Sequence, residues 1–128
     1  MTAPPYKPQG YSSVSVYLMV TEAQRVIDFL GEALGATPLR RIDNPDGTVL
    51  HAEMQIDDSV VMLTDVETAS PSHIHVYVPD VDAAYARALH AGGVSVQEPR
   101  QQDDPDRRCG VADVSGNVWW LSTQVGDV

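Results

Sequence analysis

The sequence predicts an α+β fold: two tandem βαβββ modules forming a curved, mixed eight-stranded sheet around a cleft, with the helices on its convex side. Three observations lead there. The apolar pattern switches from period 2 to helical spacing and back, twice along the chain, and the same order of elements recurs in each half. An offset of 58 residues superposes the halves, pairing Val20 with Val78, Ala33 with Ala91, Gly35 with Gly93, Val60 with Val118 and Leu63 with Leu121. A single 58-residue unit cannot bury both its helix and the other face of its sheet, so the two units combine within one domain spanning residues 1–128.

The first module covers residues 12–65. Ser12 to Val20 alternates and is rich in Val and Tyr, which makes a strand, and "TEAQRVIDFLGEALG" then places Ala23, Ile27, Leu30 and Leu34 on one helical face. Thr21 and Gln24 fit a capping box, and Gly35 fits the helix stop. A strand near Pro38 to Ile42 and a turn at "NPDG" follow. Strands at Thr48–Ile56 and Ser59–Thr64 then flank the two-residue turn Asp57-Asp58. The second module, residues 71–124, repeats this with "HIHVYV", the helix "DVDAAYARALHAGG", and strands at "VSVQE", "RRCGVADV" and "GNVWWLST".

Eight Lys and Arg against 18 Asp and Glu give a formal charge of −10, which repels a phosphate backbone and argues against a nucleic-acid partner. A cationic ligand is favoured over an anionic one. The lone Cys109 excludes an intrachain disulfide, and no apolar run approaches the roughly 20 residues that span a bilayer. Prolines in "MTAPPYKPQGYSS" stand where a signal peptide needs its apolar core, so the expected setting is soluble, reducing and cytoplasmic. The Pro-rich start and the "VGDV" end are expected to be poorly ordered.

With its preceding strand, "VTEAQRVIDFLGEALGA" resembles the vicinal oxygen chelate superfamily of glyoxalase I, extradiol dioxygenases, fosfomycin-resistance enzymes and bleomycin-resistance proteins. So do "VPDVDAAYARALHAGG" and "VADVSGNVWWLS", the latter matching the family's Asp-Pro-x-Gly-Asn ending. The likeness runs from about Ser12 to Gln124. It implies four metal-ligand positions on the first and last strands of the modules, commonly two histidines and two glutamates, which fall here on Ser15, Met62, His73 and Trp120. Only His73 suits a divalent cation that wants imidazole nitrogen and carboxylate oxygen. The resemblance therefore points to the metal-free, bleomycin-resistance-like branch, and to a homodimer.

Two alternatives stay open at this level. With Asp57-Asp58 as a hairpin turn, His51 and Glu53 share the cleft face, and with His73 and His75, which lie two apart on one strand, they compose a displaced zinc or nickel cluster. The plainer reading is a polar wall. Glu53 is also the candidate general base of a lyase, isomerase or dioxygenase, desolvation raising its pKa toward neutrality. Cys109, the repeat equivalent of His51, is placed facing the cleft, although a buried hydrophobe is the usual role of a lone cysteine. Trp119 and Trp120 point to opposite faces, and Tyr17, Met62 and an inward Trp120 offer flat apolar area for a planar, cationic ligand. The polar loop "QEPRQQDDPD" before Arg107 and Arg108 reads as a hairpin connection long enough to act as a lid. The expected function is metal-free sequestration of an aromatic or cationic small molecule, with Ser15, Tyr17, His51, Glu53, Met62, His73, His75 and Trp120 lining the cleft. A filled cleft serving only dimer contacts is the weakest alternative.

Overall fold

The computed structural model describes residues 4–126. In it the first alternating stretch pairs only over β1 (Val16–Val20), because Ser12–Ser15 stay outside the ladder. The helix α1 (Ala23–Leu34) is not opened by the expected capping box. Glu22 takes the cap position with φ 54° and no side-chain cap, and Asp65 supplies the missing acceptor from afar. Its Oδ1 accepts from the Ala23 amide at 2.8 Å and its Oδ2 from the Val49 amide at 2.7 Å, so one carboxylate ties together the helix start and a strand. The stop is as expected: Gly35 sits at φ 65°, with its amide 3.2 Å from the Gly31 carbonyl and that of Ala36 3.2 Å from Leu30. The buried stripe is Ala23, Val26, Phe29, Leu30 and Ala33, while Ile27 and Leu34 flank it half-buried, so the helix is rotated slightly from the predicted face.

Strands β2 (Thr37–Asp43), β3 (Val49–Ile56) and β4 (Ser59–Asp65) complete the first module. The second comprises β5 (His73–Tyr77), α2 (Val81–His90), β6 (Val94–Gln101), β7 (Asp106–Ala112) and β8 (Val118–Gln124). The two-module α+β architecture is thus as predicted. Its eight strands form two four-stranded ladders, ordered β1-β4-β3-β2 and β5-β8-β7-β6, rather than one continuous ladder. In each the first strand runs parallel to the last, and the remaining pairs are antiparallel.

Each sheet turns one face to its helix and leaves the other open. Leu18, Val20, Leu63, Val111, Trp119 and Leu121 join the buried side chains of both helices in a single core spanning the modules. The helices pack against each other, and the Phe29 ring of α1 closes on Gly93 so tightly that a Cβ there would lie 3.0 Å from it and 2.4 Å from Val111. Asp80 caps α2 by accepting from the Ala83 amide at 3.2 Å.

The repeat offset changes inside the modules. Four residues separate the matched pair Gln55 and Val60, whereas five, Asp113–Asn117, separate Ala112 and Val118. The offset is therefore 57 between β3 and β7 and 58 between β4 and β8, and a one-residue slip moves every side chain to the other face. Cys109 accordingly matches Ala52, lies fully buried in the core and does not face the cleft; burial pushes its thiol up to about 11. Arg108, not Cys109, is the counterpart of His51. The extra residue serves Asp113, whose buried carboxylate accepts from the amides of Ser115 and Asn117 and from Trp119 Nε1 at 2.9 Å.

The expected lid is largely strand. β6 runs on to Gln101, so only residues 102–105 form the connection, and Arg107 is committed to Asp82 by two bonds of 2.9 Å. Among the described residues no helix is long and apolar enough to cross a membrane.

Candidate ligand-binding site

On the open face of the first sheet, the register sets Tyr17 beside Met62, Met62 beside Glu53 and Glu53 beside Arg40. His51 lies one row along, and its Nε2 is 2.8 Å from Glu53 Oε2 while its Nδ1 is 3.0 Å from Tyr17 Oη. The other carboxylate oxygen accepts from the hydroxyl of Tyr11, in the N-terminal segment that was expected to be poorly ordered. Glu53 is 4% exposed, so both its oxygens are spent on protein donors and little of it is open to a ligand. Burial pushes its carboxyl up, but the hydrogen bonds from His51 and Tyr11, with the charges of His51 and Arg40, outweigh that and leave the pKa below the usual glutamate value. The expectation of a base raised toward neutrality is therefore corrected: the donors win over desolvation. Ser15 and Met62 share a pocket of about 500 Å³ with Tyr6, Tyr11, Arg40 and Glu53.

A depressed folded pKa means that the stability conferred by ionised Glu53 is present above the unfolded value of about 4.3 and is lost as pH falls through the folded one. Glu53→Gln should cost about 2 kcal/mol at pH 7, since the amide turns a donor toward Tyr11 or His51. Below pH 4 the gap between variant and parent should shrink. Chemical denaturation at pH 7 and pH 3.5 measures both, and equal gaps would assign Glu53 no such role.

On the open face of the second sheet the corresponding row is His75, Trp120, Gly110 and Gln97. Trp120 lies flat over β7: a Cβ on Gly110 would sit 2.6 Å from its Cζ3 and 2.9 Å from its Cε3. Its Nε1 donates to His73 Nδ1 at 3.0 Å, and the two rings are nearly parallel at 11°. The indole nitrogen only donates, so His73 Nδ1 presents its lone pair and the ring proton lies on Nε2. His75 Nε2 lies 2.9 Å from Ser122 Oγ, which also accepts from Arg108 Nε at 2.9 Å. Burial and the neighbouring Arg108 charge, against an opposing Asp106, lower the His75 pKa, in keeping with a neutral ring. Tyr77 donates to Asp106 at 2.8 Å.

The predicted site residues thus fall into two groups. Ser15, Tyr17, His51, Glu53 and Met62 share the first sheet, while His73, His75 and Trp120 share the second, and among the described residues no three His, Cys, Asp or Glu side chains converge. The family's metal does not fit the residues present. Ser15, Met62 and Trp120 supply a hydroxyl, a thioether and an indole, and the Nδ1 lone pair of His73 is occupied by the Trp120 N–H. A metal-bound imidazole is oriented the opposite way, donating its second N–H to an acceptor and leaving the lone pair for the ion. Sequence reasoning missed Tyr11, Arg40, Ser122 and Gly110. Only Gly110 carried a signal, since glycine inside a strand marks a close approach.

The model of the Glyoxalase/Bleomycin resistance protein/Dioxygenase superfamily matches residues 12–121. The chain belongs to this superfamily. It is 36% identical over 130 residues to an uncharacterized protein of Mycobacterium bovis, covering 91% of this chain and 86% of that one. An uncharacterized protein of Mycobacterium tuberculosis is equally identical, with 76% of its length covered. Among solved structures of the superfamily's fold, TioX from Micromonospora sp. ML1 superposes with TM-score 0.75 at 25% identity, covering 88% of this chain and 98% of that one. The fosfomycin resistance protein FosX from Listeria monocytogenes gives TM-score 0.74 at 14% identity over 91% and 94%, a likeness of fold alone.

Proposed function

We propose that this superfamily member binds a planar small molecule against Trp120 without a metal and without changing it chemically. The observation that carries this reading is the Trp120 indole, laid flat over Gly110 and pinned through Nε1 to His73, so that one ring face is presented outward. A fixed aromatic plane stacks a planar partner at little entropic cost. The occupied Nδ1 lone pair of His73 supports a metal-free mode, and the spent oxygens of Glu53 support binding over base catalysis. Membership of a superfamily that includes bleomycin resistance proteins is compatible with sequestration. We further propose a homodimer, because the open faces expose Tyr17, Met19 and Tyr77, at 44%, 43% and 63%, and a second copy would cover such apolar area.

The test is a titration of chelator-stripped protein with the neutral probe naphthalene-2-carboxamide, read on the two indole N–H resonances. Trp120 should move while the buried Trp119 stays, with the same affinity whether or not zinc is added. A silent Trp120, or binding that needs zinc, would overturn the reading. Sedimentation of the same samples should give twice the chain mass.

A further inference from the structure

The overall charge of −10 favours a cationic ligand, but the groups beside Trp120 are arranged otherwise. Two depressions border the indole, of about 380 and 250 Å³, and the residues common to both are Gln97, Arg100 and Trp120 itself. Arg25, Arg41, Arg107 and Arg108 are each tied to a carboxylate, with Arg108 shared between Asp104 and Asp106. Arg100 is not. Among the described residues it forms no ion pair, and its only side-chain bond is from Nη2 to Gln97 Oε1 at 3.1 Å. Gln97 is itself fixed, its Nε2 donating to the Arg108 carbonyl at 3.1 Å, so a neutral amide steers the guanidinium while leaving most of its donors free. In a chain with more than twice as many acidic as basic side chains, an arginine left without a carboxylate beside an aromatic plane is an arrangement for an incoming anion. The acidic groups nearby are largely committed: Asp104 and Asp106 hold Arg108, and Asp106 also accepts from Tyr77. Glu98 lines only the larger depression.

We infer that the planar ligand carries an anionic group, a carboxylate or its equivalent, which Arg100 receives while the ring stacks on Trp120. This rests on the Trp120 reading above and reverses the cationic ligand expected from net charge. Bidentate capture of a carboxylate fixes the in-plane orientation of the ring, which stacking alone leaves free.

Three probes that share one ring system test it: naphthalene-2-carboxylate, naphthalene-2-carboxamide and 2-naphthylmethylammonium, each titrated by calorimetry and by the Trp120 indole resonance. The carboxylate should bind roughly tenfold tighter than the amide, and the ammonium no tighter than the amide. Arg100→Gln, at an exposed position, should remove the carboxylate's advantage over the amide. An ammonium that binds as tightly as the carboxylate, or an advantage that survives Arg100→Gln, overturns the inference while the stacking site stands. Failure of all three probes to move Trp120 overturns both.

Discussion

Trp119→Ala is expected to lower stability by about 3–5 kcal/mol, the range for deleting a fully buried aromatic side chain. The indole has no exposed surface, belongs to the core that joins the two modules, and donates from Nε1 to Asp113 at 2.9 Å. Removing it opens a cavity and strips one donor from a buried carboxylate that organises the β7–β8 turn. For a chain of this size such a loss lowers the melting temperature by on the order of 15 °C. Thermal unfolding followed by far-ultraviolet circular dichroism measures it. Trp119→Phe, which keeps most of the volume but loses the N–H and a small part of the ring system, should cost about 2 kcal/mol. If the phenylalanine variant were as unstable as the alanine one, the hydrogen bond rather than the packed volume would be dominant.

The neighbouring tryptophan should behave in the opposite way. Gly110→Ala leaves the backbone in ordinary strand geometry, and alanine is no worse a strand residue than glycine, so stability should change by only about 1 kcal/mol. The new Cβ, however, occupies space within 2.6 Å of the indole, which must lift off β7 and leave His73. Loss of the pinned plane should reduce affinity for a planar probe by at least about tenfold, equivalent to about 1.4 kcal/mol. The Trp120 N–H resonance should shift toward the position of a solvent-bonded indole. Unaltered probe affinity in this variant would separate ligand binding from the platform.

Much of the architecture was legible because it depends on local rules. Alternation in "HIHVYV" and "GNVWWLST", helical spacing in the two helices, the glycine stop at Gly35 and the hairpin at Asp57-Asp58 each follow from period or turn chemistry within a few residues. Period 2 also set Trp119 and Trp120 on opposite faces, and the family resemblance assigned Trp120 to the open one, with Trp119 in the core. What failed needed distant partners. The capping box at Thr21 lost to Asp65, 42 residues from the amide it caps. Cys109 was placed on the wrong face by one inserted residue, whose reason is the buried Asp113 network.

The site divides in the same way. The family resemblance put the metal positions at Ser15, Met62, His73 and Trp120, and the residue types there make the donor set wrong for a hard cation, because ligand chemistry is a property of the side chain. That the His73 lone pair faces the Trp120 N–H, that Glu53 is ionised and closed off by Tyr11, and that Arg100 stands without a carboxylate partner beside a flattened indole were decided only by the tertiary structure. Hydrogen bonds and ion pairs depend on distances of a few ångström between residues far apart in the chain, and no local pattern encodes those distances.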